Sequence, residues 1–207
     1  MKNKSSDSLK TALHGHVILQ DPCVNKGAAF SMQEREELNL KSRLPYCVES
    51  LPQQCARVMK VFDQLSTSLL KYMYLRYIQD TNETLFYACL KKHLTLLLPY
   101  IYTPTIGAAC QQFGEIFNEP RGLFLAWPNR ADILNTLSSV SFEPELIIIT
   151  DGERVLGIGD FGVNGINICI GKLSIYTAIG GFDPSKTLPI VLDVGCNNVE
   201  LLNSGHY

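Results

Sequence analysis

The sequence predicts the α/β fold class, with a helical N-terminal part followed by the first strands of an incomplete, layered α/β catalytic domain. Before about residue 120, apolar residues recur at the spacing of amphipathic helices. After that position, helical patterns alternate with short apolar runs, as in sheets joined by crossover helices. The runs at 146–150 (LIIIT) and 188–194 (LPIVLDV) are typical of strands covered on both faces.

Residues 1–120 are predicted to form the helical N-terminal domain, after a mobile start of about 20 residues. Helices are expected at residues 31–44, 52–64, 68–78, 81–98 and 103–117. Ser31 and Glu34 have the spacing of a capping box at the first of these helices. Asp80 is predicted to cap the fourth helix, and Pro99 is predicted to end it.

Residues 121–207 are predicted to be the first part of an α/β domain. Strands are expected at residues 123–126, 146–150, 154–158 and 188–194, and helices at 132–140 and 166–179. Asp151-Gly152 is a tight-turn signal, so the second and third strands are predicted to form a hairpin. Because an open parallel sheet needs further strands and covering helices, we expect a truncated chain or one that completes its fold with a partner.

The composition is that of a globular protein and argues against several classes of partner. Apolar residues make up 46% and charged residues 18% of the 207 residues, which is enough for a buried core. A net charge of −2 without a Lys/Arg stripe argues against nucleic acid. Since no apolar run approaches the roughly 20 residues of a transmembrane helix, we expect no membrane partner.

The seven cysteines are scattered and show no C-x-x-C pair or zinc-binding spacing. They are interpreted as free, mostly buried thiols, which predicts a reducing compartment such as the cytoplasm. The first ten residues hold three lysines and three serines but no arginine and no apolar segment. This pattern excludes a secretory signal and leaves a mitochondrial location open.

Gly157-Ile-Gly-Asp-Phe-Gly162 matches the G-x-G-x-x-G pattern of dinucleotide-binding folds. We reject that interpretation, because the preceding strand is assigned to a tight hairpin and no long helix begins at the third glycine. Asp183, about 20 residues further on, precedes a proline in a turn instead of ending a strand. The glycines are interpreted as positions where the backbone approaches a small ligand.

Three side chains are candidates for chemistry, and each also has a purely structural interpretation. Tyr102 precedes a predicted helix N-terminus, which would favour a developing phenolate and proton donation; otherwise it is a core tyrosine. Arg154 follows a tight turn and could hold a carboxylate by two parallel hydrogen bonds; otherwise it pairs with Glu153 or Asp151. Lys172, among apolar neighbours, could act as a general base; otherwise its stem covers apolar surface.

Several long motifs in one order resemble the malic enzyme family. They are Asn25–Ser31, Leu75-Arg76, Ile78–Glu83, Leu85–Tyr87, Pro99–Gly107 with Ala109-Cys110, Pro120–Phe124, Thr150–Gly165, Gly171–Leu173, Tyr176–Ala178 and Leu188–Asn198. The resemblance extends from about residue 18 to the last residue. So many matches in one order argue against chance agreement.

The resemblance implies an oxidoreductase that decarboxylates (S)-malate to pyruvate and CO₂ with NAD or NADP and Mg²⁺ or Mn²⁺. It implies that Tyr102 is the general acid that protonates the enol intermediate. It implies that Lys172 is the general base that takes the malate hydroxyl proton. Arg154 would hold a substrate carboxylate near the nicotinamide. The resemblance also implies a homo-oligomer.

The family's metal ligands and its NAD(P)-binding domain are downstream of the residues matched here. We therefore expect no metal ligand and no nucleotide-binding fold in this chain, which would make the chain alone inactive. Smaller departures occur at Trp127–Ala131, in place of an Asp-Arg-Gly-like loop, and at Thr81, where some animal members have an arginine that binds an activating dicarboxylate. Cys169-Ile170 replaces a small residue and a proline, which is expected to loosen the helix start before Lys172.

Two other functions are compatible with the same residues. The first is a non-catalytic oligomerisation or regulatory module that pairs with full-length malic enzyme subunits. The second is a malolactic-type enzyme, which releases lactate without net oxidation. Copurification with an intact subunit would distinguish the first, and product analysis of the intact enzyme would distinguish the second.

Overall fold

The computed structural model describes residues 11–117, 119–155 and 157–205. The α-helices are α1 (His16–Gln20), α2 (Met32–Glu37), α3 (Leu51–Gln64), α4 (Ser68–Thr81), α5 (Glu83–Lys92), α6 (Leu94–Ile101), α7 (Thr105–Gln111), α8 (Phe113–Ile116), α9 (Ile133–Ser138), α10 (Ile166–Gly180) and α11 (Val199–Asn203). The strands are β1 (Leu123–Ala126), β2 (Leu146–Thr150) and β3 (Thr187–Asp193). None of the helices in the described ranges is both long and apolar enough to cross a membrane.

The chain forms two compact units. The first consists of the residues up to Gln64 together with Leu75–Cys89, and the second consists of Leu65–Tyr74 together with Leu90–Tyr207. Helices therefore dominate the early part of the chain, and parallel strands with helices follow. This order confirms the predicted fold class.

The first unit is built around short helices and buried apolar side chains. Ile18, Phe30 and Leu40 form one core cluster. Along α3, the side chains of Cys55, Val58, Met59 and Phe62 are buried. These side chains recur at helical spacing, so one face of α3 is removed from water.

Arg35, on α2, is a buried cation with only 3% of its surface exposed. Its guanidinium donates hydrogen bonds to the main-chain oxygens of Ala28 at 2.9 Å, Phe30 at 2.8 Å and Pro45 at 2.6 Å. Two further carbonyls accept from it at 3.3 Å. Since these carbonyls come from segments before and after α2, Arg35 joins both segments to the helix.

The capping box at the start of α2 is confirmed, but the helix is shorter than predicted. The Ser31 hydroxyl accepts a hydrogen bond from the Glu34 amide, and the Glu34 carboxylate accepts one from the Ser31 amide. The helix ends at Glu37, although the pattern predicted helix to residue 44. Asn39 has a left-handed φ of 56°, a conformation that asparagine tolerates and that interrupts a right-handed helix.

The prediction that Asp80 caps a helix is wrong. Asp80 lies inside α4, where its carboxylate pairs with Arg76 at 3.0 Å, one helical turn earlier. Asn82 performs the capping role, because its side-chain oxygen accepts a hydrogen bond from the Leu85 amide at 3.0 Å. The ion pair inside the helix keeps Asp80 helical and extends α4 to Thr81.

The long helix predicted over residues 81–98 is divided into α5 and α6 at His93, which has φ −123°. Pro99 lies inside the last turn of α6 and does not end it. A proline this close to a helix C-terminus removes only one backbone hydrogen bond, so the final turn can still form. The helix predicted over residues 103–117 is likewise divided into α7 and α8 at Gln112.

In the second unit, the three strands form one sheet in the order β1-β3-β2, and both pairings are parallel. Helix α10 covers one face of the sheet, where Ile166, Cys169 and Ile170 pack with Val191 of β3. A parallel sheet with a crossover helix is the arrangement expected of an α/β domain.

The predicted hairpin is wrong. The residues after β2 form a turn, with a single antiparallel bridge between Val155 and Gly159. Gly157 and Gly159 have φ of 81° and 104°, which a strand cannot accommodate. The chain thus reverses within the turn and does not return beside β2.

The prediction that β2 is covered on both faces is also wrong. Ile148 packs against the cluster under α10, whereas Ile147 and Ile149 are exposed on the opposite face. An uninterrupted apolar run predicts a buried strand but does not identify which neighbour covers each face.

Replacing Arg35 by lysine should destabilise the first unit. An ammonium cannot reach carbonyls that a planar guanidinium satisfies together, so Arg35→Lys should lower the free energy of unfolding by about 1–3 kcal/mol. Urea unfolding followed by circular dichroism measures this change. Arg43→Lys, at an exposed arginine, is the control and should change stability by less than about 0.5 kcal/mol. Equal effects of both substitutions would contradict the role assigned to Arg35.

Candidate functional site

Tyr102 lies in the connection between α6 and α7 and is partly buried. Its carbonyl accepts a hydrogen bond from the Ile106 amide at 2.9 Å, which ties the connection to the first turn of α7. Its ring packs against a core cluster that includes Tyr72, Ile106 and Phe161. The ring is therefore anchored by apolar contacts within the second unit.

Lys172 lies on α10, directly after a glycine that touches the segment carrying Tyr102. A Cβ atom added to Gly171 would lie 2.8 Å from the Ile101 carbonyl oxygen and 3.0 Å from Cδ2 of the Tyr102 ring. Only glycine allows this close approach of α10 to the α6–α7 connection. The structure thus brings Tyr102 next to the residue that precedes Lys172.

Arg154 lies in the turn after β2, and its side chain is exposed. The turn is closed by the Phe161 amide, which donates to the Gly152 carbonyl at 2.9 Å. The next residue, Val155, packs against the same core cluster as Tyr102. On the other side of the turn, Ile158 lies 3.2 Å from the position of a Cβ on Gly107 of α7.

The second unit therefore brings together the three segments that carry the candidate side chains. The segments of Tyr102 and Lys172 are in direct contact, and the turn of Arg154 joins them through its apolar neighbours. Among the described residues, Arg154 forms no ion pair with Glu153 or Asp151. The structural interpretation of Arg154 as half of a local ion pair is thus wrong.

Asp160 connects the Arg154 turn to the segment after β3, a role that the sequence analysis missed. Its carboxylate accepts hydrogen bonds from the Gly162 amide at 3.0 Å and the Asn197 amide at 2.7 Å. The Cys196 thiol donates to the same carboxylate at 3.3 Å, and the Asn198 side chain donates to the Asp160 carbonyl at 3.0 Å. The sequence feature that could have indicated this role is an aspartate in a glycine-rich turn, where a carboxylate can accept hydrogen bonds from backbone amides.

A buried hydrogen-bond chain fixes the first turn of α10. The Tyr72 hydroxyl donates to Asn167 Oδ1 at 2.9 Å, and Asn167 Nδ2 donates to the Ala109 carbonyl at 3.2 Å. The chain joins α4, α10 and α7 through groups that are removed from solvent. Buried polar groups of this kind specify one packing arrangement, because any other would leave them unpaired. An asparagine among the apolar residues Ile166, Ile168 and Cys169 at the start of the helix was the sequence signal for it.

Two thiols lie in the core beside these segments. Burial, together with the neighbouring Cys169, raises the pKa of Cys110 to about 12. Burial also raises the pKa of Cys169 to about 11, although the charge of Lys172 acts in the opposite direction. Both thiols therefore stay protonated at neutral pH, and Lys172 places its positive charge close to this core.

Comparison with known proteins assigns the family. The family model of the malic enzyme N-terminal domain matches residues 79–207 of the chain. The chain belongs to the malic enzyme family. This assignment confirms the resemblance drawn from the sequence motifs, including Pro99–Gly107 and Thr150–Gly165.

Several curated malic enzymes resemble the whole chain. It is 50% identical over 208 residues to an NAD-dependent malic enzyme of Cronobacter sakazakii and 49% identical over 208 residues to one of Erwinia tasmaniensis. Each alignment covers 100% of this chain and 37% of the relative. A Salmonella arizonae NAD-dependent malic enzyme is 49% identical over 205 residues, or 99% of this chain and 36% of the relative. The chain thus spans little more than a third of the length of these malic enzymes.

The divalent cation that the malic enzyme family implies does not fit the described residues. Within ranges 11–117, 119–155 and 157–205, no three His, Cys, Asp or Glu side chains are grouped so that they could hold a metal ion. The G-x-G-x-x-G stretch likewise does not join a strand to a helix, because β2 ends at Thr150 and Gly157 begins a separate tight turn.

The departure at Cys169-Ile170 from the malic enzyme pattern does not loosen α10. The helix begins at Ile166 and continues without a break to Gly180. Cys169 is fully buried, and its thiol donates to the Ile190 carbonyl of β3 at 3.6 Å. The cysteine thus packs α10 onto the sheet, and the expectation of a loosened helix start is wrong.

Adding one methyl group at Gly171 should disturb the contact between α10 and Tyr102. The new Cβ would meet backbone and ring atoms at 2.8 and 3.0 Å, so Gly171→Ala should lower the free energy of unfolding by about 1–3 kcal/mol. Gly180→Ala, at the end of the same helix, is the matched control and should change stability by less than about 1 kcal/mol. Urea unfolding of both variants compares them, and equal stabilities would contradict the close approach.

The buried thiols should make stability depend on pH in the alkaline range. The unfolded thiols ionise near 9.0, whereas Cys110 and Cys169 stay protonated in the folded chain until about 12 and 11. The unfolded state thus loses protons first, so stability should be constant below pH 9 and fall above it. Urea unfolding from pH 8 to 10.5 measures this slope. The double variant Cys110→Ala/Cys169→Ala should show a shallower slope, and an unchanged slope would contradict the assignment.

Proposed function

We propose that this chain is the first part of an NAD-dependent malic enzyme and supplies the side chains that bind malate and move its protons. Family membership and the printed function of the relatives support this proposal. The observation that carries it is the close approach of Gly171, the neighbour of Lys172, to Tyr102: a Cβ added to Gly171 would lie 3.0 Å from Cδ2 of the Tyr102 ring. That close approach supports a shared site for the candidate base Lys172 and the candidate acid Tyr102.

Lys172 acts as the general base, and its amine takes the proton of the malate hydroxyl while the carbinol carbon is oxidised. Lys172 is half-buried, so its side chain is partly removed from water. Loss of CO₂ leaves the enol intermediate in its deprotonated form, the enolate, and Tyr102 donates its phenolic proton to the enolate carbon, which gives pyruvate. The two proton transfers run in opposite directions, so both groups must return to their starting states through solvent.

Arg154 binds a substrate carboxylate through its planar guanidinium. Its exposed side chain has no ion-pair partner among the described residues, so its charge is available to an anion. The turn that carries it is held by Asp160 on one side and by the core cluster on the other. An arginine on an anchored turn can orient a dicarboxylate before proton transfer.

The intact enzyme, as we propose it, uses NAD as hydride acceptor and Mg²⁺ or Mn²⁺ as Lewis acid, each held by residues outside this chain. We further propose a homo-oligomer with a helical domain at residues 1–120 and a malate-binding domain that begins at residue 121. The seven free cysteines support a location in the cytoplasm. A regulatory module that pairs with full-length subunits is the second candidate, because the described residues provide no metal site.

Joining the chain to the missing part of a relative tests the proposed activity. A fusion to the part of the Cronobacter sakazakii enzyme that lies outside its alignment with this chain should reduce NAD with malate in the presence of Mn²⁺. The isolated chain should show no turnover under the same conditions. A folded fusion without activity would contradict the catalytic proposal and favour the regulatory module. Lactate as product would identify a malolactic-type enzyme.

Within that fusion, Tyr102→Phe should lower kcat by about 10²–10⁴-fold, because the phenolic proton is lost while the ring remains. Lys172→Met should cause a loss of similar size. Tyr100→Phe is the control for the first variant, since a phenylalanine ring keeps the stacking of Lys71, now 5.1 Å from the Tyr100 ring centre. Steady-state rates measure each effect, and equal losses at Tyr100 and Tyr102 would refute the assigned acid.

A further inference from the structure

The first unit contains a cavity of about 500 Å³, which we call the first-unit cavity. The residues that line it lie on α1, α2, α3, α5 and the segments between them, and all of them belong to the first unit. The wall is largely apolar and includes Ile18, Val24, Phe30, Leu38 and Leu51. Cavities of about 300–1,000 Å³ with apolar walls and a few polar groups are typical of small-molecule sites.

Hydrogen bonds to the backbone hold one wall of the first-unit cavity in place. In the segment before α2, Asn25 Nδ2 donates to the Leu19 carbonyl at 3.0 Å and to the Thr81 carbonyl at 2.7 Å. The buried Arg35 donates to the Phe30 carbonyl at 2.8 Å. Collapse of the wall into the cavity would break these bonds and leave polar groups unpaired. The cavity is therefore maintained by the fold itself.

Gln54 lines the first-unit cavity and brings a buried acceptor to it. Only 1% of its surface is exposed, and its Nε2 donates to the Lys26 carbonyl at 3.0 Å. Its Oε1 is removed from water and accepts no hydrogen bond from the residues that the structure describes. A buried acceptor without a partner is unfavourable, so a ligand that donates a hydrogen bond would gain free energy there.

The charges at the first-unit cavity favour a neutral ligand. The charged residues among those that line it are Lys26 and Glu34, and these two form an ion pair with each other. A charged ligand would lose its hydration without gaining an unpaired partner of opposite charge. Thr81, where some animal malic enzymes have the arginine for an activating dicarboxylate, is not among the described residues of this wall.

We propose that the first-unit cavity binds a neutral, largely apolar small molecule that donates one hydrogen bond to Gln54 Oε1. Removal of the ligand's apolar surface from water supplies the affinity, and the donor satisfies the buried acceptor. The lining residues all lie in the first unit. The inference is therefore independent of the roles proposed for Tyr102, Arg154 and Lys172.

Indole and benzothiophene are matched probes for this site, because they have nearly the same shape and only indole carries an N–H donor. In equilibrium dialysis against the 207-residue chain, indole should bind about tenfold more tightly than benzothiophene. Gln54→Leu removes the acceptor and keeps an apolar side chain, so it should abolish this preference and leave benzothiophene binding in place. Gln53→Leu, the same substitution at an exposed residue of α3, is the control and should retain the preference.

Protection of a cysteine locates the bound probe. Cys23 and Cys47 are both exposed, but only Cys23 is among the described residues that line the first-unit cavity. Indole should slow the reaction of Cys23 with iodoacetamide and leave that of Cys47 unchanged, as measured by mass spectrometry of the digested chain. Succinate is the control for a charged ligand and should protect neither thiol.

Several results would overturn the inference. They are no binding of either probe, equal affinities for the two probes, a preference for indole that survives Gln54→Leu, equal protection of both thiols, and protection of Cys23 by succinate as strong as that by indole. The comparison of the two probes and the protection assay use the unsubstituted chain. They therefore decide the question even if Gln54→Leu does not fold.

Discussion

The second unit depends on the close approach of α10 to the connection between α6 and α7. Gly171 leaves no room for a side chain there, since a Cβ would lie within 3.0 Å of Ile101 and Tyr102. This single contact sets the distance between the helix that carries Lys172 and the segment that carries Tyr102. The packing of the backbone of α10 against this connection therefore determines where Tyr102 and Lys172 lie.

Two sets of hydrogen bonds hold α10 and the Arg154 turn in place. The Tyr72–Asn167–Ala109 hydrogen bonds tie the first turn of α10 to α4 and α7, and they are removed from water. Asp160 holds the Arg154 turn in the same way, because its carboxylate accepts hydrogen bonds from two backbone amides and a thiol. Buried hydrogen bonds add modest stability but penalise every alternative arrangement, because an alternative would leave a donor or acceptor unsatisfied.

Local patterns predicted the elements better than their boundaries. The capping box at Ser31 depends on residues three positions apart, and the structure confirms it. The ends of α2 and α4 depended on competing contacts: the left-handed Asn39 stopped one helix, and the Arg76–Asp80 pair extended the other. Helix propensities alone do not predict these ends, since each end depends on contacts that form only when the neighbouring segments have folded.

The sequence by itself determined the helical first part, three of the four predicted strand segments and the family, because these follow from periodicity and from ordered motifs. The same motifs identified the candidate residues Tyr102, Arg154 and Lys172. Only the tertiary structure decided that β1 and β2 flank β3, that the turn after β2 makes no hairpin, and that Ile147 and Ile149 stay uncovered. Apolar residues in the sequence predict which segments are buried, because burial of apolar surface is favourable. Which surface covers each segment depends on contacts between residues that are distant along the chain.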